Sequence, residues 1–204
     1  HIHVNDAREV LLTTRQKYDV IFSEPSNPYR AGIASLYTPE FYESGAQRLE
    51  DDGLFLQWVQ AYEIDAQTIR TIYSTITSVF DHVDTWRTTP SDLILIASRN
   101  PYTIDARRIS QRLLQHPYGE ATHNTWRVES MEGVLAHFIG NDTLARSVGD
   151  GGVLNTDDRT VIEFGFARTL GGDEGFDVNE LIHAARGLNA HRPARVAGTP
   201  DWEL

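Results

Sequence analysis

The chain of 204 residues contains no cysteine, which excludes disulfides and thiolate metal sites and leaves the redox compartment open. Lysine is almost missing too, Lys17 standing alone in the sequence. Acidic residues outnumber basic ones, giving a formal net charge of −11 and a pI near 5.1. A nucleic-acid-binding face, which needs clustered Lys and Arg, is therefore not expected. No run approaches the ~20 apolar residues of a membrane span, and no signal peptide is visible. What remains is ordinary for a soluble globular protein, with 40% hydrophobic and 23% charged residues and enough length for a sizeable core.

The chain is organised around Tyr18 to Gln57. Val20-Ile21-Phe22 is a short apolar run of the kind a buried parallel strand shows. It ends in Ser23-Glu24-Pro25-Ser26-Asn27-Pro28, where two prolines stop ladder and helix alike. A carboxylate, hydroxyls and an amide thus gather at the carboxyl end of a strand, the place where open α/β sheets bind ligands. The loop Pro25 to Tyr37 is long enough to act as a gate. A helix is expected from Pro39 to Leu49 with Thr38 as its N-cap, then a turn at Asp51-Asp52-Gly53 and a buried strand from Leu54 to Val59.

These residues, YDVIFSEPSNP, SLYTPEFYE and GLFLQW, resemble the central segment of the polyamine aminopropyltransferases, the spermidine synthases. They are more similar still to the bacterial spermidine-synthase-like domains fused to membrane segments. The resemblance runs from His1 to about Arg168. It implies an α/β, class I methyltransferase-like sheet, with decarboxylated S-adenosylmethionine as aminopropyl donor and a diamine as acceptor. Nothing in it calls for a tightly bound cofactor; the donor, or S-adenosylmethionine in its place, is a co-substrate.

The same resemblance places the site. Glu24 stands where the family has its catalytic Asp, close to both the donor and the acceptor. Asn27 stands where a second acid usually holds the amine, with Ser26 beside it, and Gln57 or Trp58 answers to the family's pocket-facing Gln. Asp6, followed by Ala7, occupies the position of the acid that accepts from the adenine amino group; as plain chemistry it is equally a helix N-cap. Two departures are evident: Glu24 is a methylene longer than Asp, and Asn27 cannot offset a diamine's second charge.

Around this centre, His1 to Asn5 alternates like a half-buried strand, answering to the third strand of a methyltransferase-like sheet, and Ala7 to Arg15 reads as a helix. Ala66 to Phe80 is amphipathic, and His82–Arg87 with Asp92–Ser98 reads as an antiparallel hairpin, the usual finish of such a sheet. Family members often place an aromatic near that turn, a role for which Trp86 is available; Trp86, Trp126 and Trp202 read most simply as packing. Helical patterns follow at Ile104–Leu114, Met131–Phe138 and Asp142–Val148. Gly149-Asp150-Gly151-Gly152 reads as a plain loop, because no strand precedes it. Asn155-Thr156-Asp157-Asp158 recurs in the fused subgroup, with no physical role evident from sequence, and precedes a strand-like run, Thr160 to Phe166. The domain is expected to end near residue 170, with 171–204 as a C-terminal helix (Asp177–Leu188) and a linker from His191. The eight histidines are scattered, and His1-x-His3 lacks a third partner, so no metal is expected.

Three functions fit. The first is an aminopropyltransferase acting on a polyamine or other amine. The second is an S-adenosylmethionine-dependent methyltransferase. The third is a non-catalytic ligand-sensing or scaffold domain attached to a membrane transporter-like segment. A cytoplasmic location, a membrane tether in the full-length chain and a homodimer are compatible with each. The sequence opens at His1 without a Gly-rich strand-loop-helix, and reads as the later part of a longer domain. Such a chain alone is expected to leave the strand at Tyr18 unpaired, or paired directly with His1–Asn5, to self-associate and to bind no adenosyl donor.

Overall fold

The computed structural model describes residues 2, 4–26, 30, 32–62, 64–164 and 176–202. Asp6 caps the first helix, α1 (Ala7–Thr13), its Oδ1 accepting from the backbone N–H of Arg8 and Glu9 at 2.9 and 3.2 Å. The chain turns back into β1 (Tyr18–Ser23), runs through a 3₁₀ helix (Ile33–Tyr37), then forms α2 (Pro39–Arg48) and β2 (Leu49–Gln60). Thr38 caps α2 and Pro39 occupies its first turn. Next come α3 (Ala66–Thr77), capped by Asp65, and the hairpin β3 (His82–Thr89) and β4 (Asp92–Ser98).

The sheet order is β1-β2-β4-β3, completed by β6 (Phe138–Gly140). β1 and β2 are parallel; β4 runs antiparallel to both β2 and β3. The mixed α/β class and the hairpin finish are thus as the sequence implies: β1, β2, β4 and β3 lie as the fourth, fifth, seventh and sixth strands of a class I methyltransferase-like sheet. Apolar side chains of α2, α3 and α7 (Asp142–Gly149) cover one face. Phe55, Phe80 and Tyr42 meet there with ring centroids 5.5–6.4 Å apart. Alternating with Phe55, Gln57 and Val59, the residues Leu54, Leu56 and Trp58 point to the opposite face and are only half-buried, as are Ile94 and Ile96.

Several expectations are corrected. Ile2 and Val4 form no strand and are 94% and 97% exposed, so among the described residues β1 has no partner on its outer edge, and Val20 and Phe22 are about half exposed. The short α1 crossover does not deliver Ile2 and Val4 to β1. Asp51-Asp52-Gly53 is not a turn but a bulge within β2, between the pairs Tyr18–Leu49 and Val20–Leu54. Gly53 is required there, since a Cβ would sit 2.9 Å from the Tyr18 carbonyl oxygen.

The C-terminal half is a helical extension cut by short strands. Where one helix was expected, β5 (Ile104–Asp105) precedes α4 (Ala106–Leu113); α5 (Tyr118–Trp126) was not foreseen; and α6 (Met131–Leu135) stops before β6. Val161–Phe164 is a 3₁₀ helix rather than a strand; Gly165 and Phe166 of that run and Gly171–Asp173 lie outside the described residues. α8 (Val178–Gly187), capped by Asp177, buries Val178, Leu181 and Ala185 in the main core. The tail is not a loose linker: β7 (Val196–Ala197) pairs with β5, and Trp202 packs with the cluster of Trp86, Ala106, Met131 and Leu135. Gly149 and Gly152 lie against α3, where a Cβ on either would collide with Ser74. Gly149 ends α7, and Asp150–Gly152 is a turn, as the sequence implies, closed against α3. No helix among the described residues is long and apolar enough to cross a membrane.

Candidate functional site

Helix α1 packs on α2, and between α1 and the exposed edge of β1 lies a groove of about 440 Å³. One wall comes from α1 with Asn5, Ala7, Val10 and Leu11; the floor is β1 from Tyr18 to Ser23; Leu36 and Phe41 close the other side. Glu24 and Pro25 form its end at the carboxyl terminus of β1. The interior is apolar, with a carboxylate, the Ser23 hydroxyl and the Asn5 amide at its polar margin. Such a surface suits a flat, partly apolar ligand that carries positive charge at one end. Glu24 is exposed, its carboxylate open to a ligand.

Of the residues expected to form a site, Glu24 and Ala7 line this groove. Asp6 does not line it; its carboxylate is bonded as the cap of α1. Ser26 is exposed in the loop beyond Pro25, and Asn27 lies outside the described residues, with Pro28, Tyr29 and Ala31. Gln57 and Trp58 are not on the groove. Gln57, in register with Ser23, is fully buried on the core face, and its Nε2 donates to the Trp58 carbonyl at 3.0 Å. The Tyr37 hydroxyl donates to the same carbonyl at 3.1 Å, and burial pushes its pKa well above the usual tyrosine range. Period-two alternation along β2 settles what the sequence left open: Gln57 faces the core helices and Trp58 the opposite side. Trp86 packs edge-on against Phe138 at 5.2 Å, away from the groove.

The segment Gly32–Thr38, which carries the Leu36 wall, is fixed by distant residues. Asn155 is fully buried; its Nδ2 donates to the carbonyls of Ala34 and Tyr37 at 2.8 and 2.9 Å, and its Oδ1 accepts from Ile162 N–H at 3.2 Å. Its own N–H donates to Thr75 on α3 at 3.1 Å. Asp157 accepts both arms of Arg8, at 3.0 and 2.5 Å, and the Thr38 hydroxyl at 2.8 Å. Those bonds, led by that from Arg8, hold its carboxyl below the usual range. Glu163 accepts from the N–H of Gly32, whose φ of +80° is left-handed. The Asn155–Asp158 run stood out in the sequence without a role, because its partners lie more than a hundred residues away.

A second polar cluster lies at the other end of the sheet. Tyr102 donates to Asp84 at 2.5 Å, beside His82, Asp142 and Arg195 around a cavity of about 110 Å³. Burial pushes the Asp84 carboxyl up to about 6, against the lowering effect of the Tyr102 bond. Among the described residues no three His, Asp or Glu side chains gather in a way that could hold a metal ion.

The crystal structure of a probable spermidine synthase from Corynebacterium glutamicum ATCC 13032 is similar at a TM-score of 0.49 and 18% identity, over 76% of this chain and 53% of that one. The chain therefore spans about half the length of that structure. No curated protein matches the chain. Residues 1–99, which hold α1, the groove and the four principal strands, match the model of the spermine/spermidine synthase domain family.

Proposed function

We propose, in place of the expectation that this chain alone binds no adenosyl donor, that the groove binds an adenosyl sulfonium donor and that Glu24 directs an amine acceptor onto it, making the domain an aminopropyltransferase. The observation that carries this reading is the placement of Glu24: an exposed carboxylate at the carboxyl end of a parallel strand, at the end of an apolar groove whose opposite wall begins at Ala7. An amine with a pKa near ~10 is protonated at neutral pH and must lose a proton before it can attack carbon. A carboxylate in this position can hold the ammonium, take that proton and fix the line of approach. The nitrogen lone pair then forms the new C–N bond while the C–S bond breaks, and its electrons neutralise the sulfonium to a thioether, leaving 5′-methylthioadenosine. Val10, Leu11 and Phe22 offer apolar surface to the nucleoside, and Asp6, between the lining residues Asn5 and Ala7, keeps lone pairs beyond its cap bonds for an adenine amino group.

The test supplies the protein with decarboxylated S-adenosylmethionine or S-adenosylmethionine, together with several diamines, and follows products by mass spectrometry. Aminopropylated amine and methylthioadenosine are the expected products. Transfer of a methyl group instead would assign the methyltransferase reading. A ligand-sensing role is the second reading, favoured by the openness of the groove along the unpaired β1 edge. It predicts binding of methylthioadenosine with no transfer from either donor. The polyamine acceptor, an association with membrane segments and a homodimer belong to the proposal on the same footing.

A further inference from the structure

We infer that the strap from Asn155 to Glu163 sets the width of the groove and that Asp157 is its positioning residue, an inference that rests on the groove being the ligand site. The two walls of the groove come from separate elements, Ala7–Leu11 on α1 and Leu36–Phe41 on the 3₁₀ helix and α2. No hydrogen bond of the sheet joins these walls. Asp157 does: one carboxylate accepts Arg8 from the first turn of α1 and Thr38 from the N-cap of α2. The same guanidinium donates to the Ser35 carbonyl at 2.8 Å, and Asp157 N–H donates to Glu40 at 3.4 Å. Arg8 therefore lies between the walls with its planar fork held at both ends.

The remaining strap contacts fix the same segment. Glu163 holds its start at Gly32, and Asn155 its middle and end at Ala34 and Tyr37, while Thr75 ties the strap to α3. The tight turn that carries Asp157 is closed by mutual backbone bonds between Thr156 and Arg159, at 3.0 and 3.1 Å. Asn155 is buried in the core, so its loss would unsettle the fold. Asp157 differs: its side chain is 37% exposed, and an ion pair in that setting contributes little to global stability. Its three side-chain bonds serve wall-to-wall geometry, and the effect of losing them is local.

Asp157→Asn and Arg8→Lys test this in the whole chain, with amide hydrogen exchange, thermal melting and binding of 5′-methylthioadenosine as readouts. In Asp157→Asn, exchange across Gly32–Thr38 and the first turn of α1 should rise about tenfold or more, while β2 and β4 amides and the melting temperature change little. Nucleoside binding should weaken by a similar factor, and Arg8→Lys, which keeps the charge but loses the fork, should fall between. A double variant, Arg8→Ala with Asp157→Ala, should lose less than the sum of the two single alanine changes. Unchanged exchange in Gly32–Thr38, or acceleration of every amide in step with a lower melting temperature, overturns the inference. Should the unaltered chain bind no nucleoside, the transferase reading fails, and the exchange pattern by itself still decides the strap.

Discussion

At the scale of single residues, Glu24 is the group on which the chemistry turns. If it accepts the amine proton, Glu24→Gln should keep the fold and lower turnover by roughly 10²-fold, the usual scale for a general base. A fully active variant would remove it from the mechanism. Asp6→Ala should weaken donor binding more than amine binding; equal affinity for the donor would leave Asp6 as the α1 cap alone. Asp84 carries a different prediction. Its folded pKa of about 6 lies above the ordinary 3.8, so the protonated carboxyl stabilises the fold. That contribution is present below about pH 4 and is lost as pH rises through 6, a change of ~3 kcal/mol at most. The difference in urea midpoint between the parent and Asp84→Asn should therefore shift between pH 4 and 7, and a constant difference would refute the assignment. Glu24 was legible in the sequence because a strand run ending in a proline-rich turn announces a strand terminus. Asp84 and Asp157 were not, since their surroundings are made by residues distant along the chain.

At the scale of elements, caps and periodicity carried most of the information. Asp6, Thr38, Asp65 and Asp177 each start the helix expected after them. The elements that escaped were short ones whose conformation depends on a partner. β5, β6 and β7 span two or three residues and exist through the neighbours that pair with them. Gln57 shows the same dependence: alternation put it and Trp58 on opposite faces, but only the helices packed on the sheet decide which face is buried. The contact between α2 and β2 can be tested directly. A Cβ on Gly45 would lie 2.7 Å from the Phe55 ring, which Phe41, Tyr42 and Phe80 hold in place. Gly45→Ala should cost about 1–3 kcal/mol in denaturant unfolding despite its better helix propensity, and Phe55→Leu in that background should recover part of it. A neutral or stabilising Gly45→Ala would show that the sheet yields.

At the scale of the molecule, an open strand edge and a half-covered sheet face stand side by side. Val20 and Phe22 on β1 are exposed to 54% and 51%, and Leu54, Leu56, Trp58, Ile94 and Ile96 are only half-buried. Unpaired backbone beside apolar side chains favours pairing with another chain. This chain alone should sediment as a concentration-dependent oligomer, and Phe22→Lys should shift it toward monomer. A monomer across the whole concentration range would reject that expectation. The sequence by itself determined the α/β class, the position of the principal helices, the closing hairpin and the strand end that carries Glu24. Those follow from local rules: helix and strand periodicity, N-caps, and prolines that forbid a continuing ladder. Only the tertiary structure decided that Ile2, Val4 and Asn5 lie off the sheet, that Gln57 turns to the core, and that Asn155 and Asp157 grip a loop more than a hundred residues away. Each of those outcomes depends on which groups become neighbours when the core closes, and local sequence preferences do not encode that.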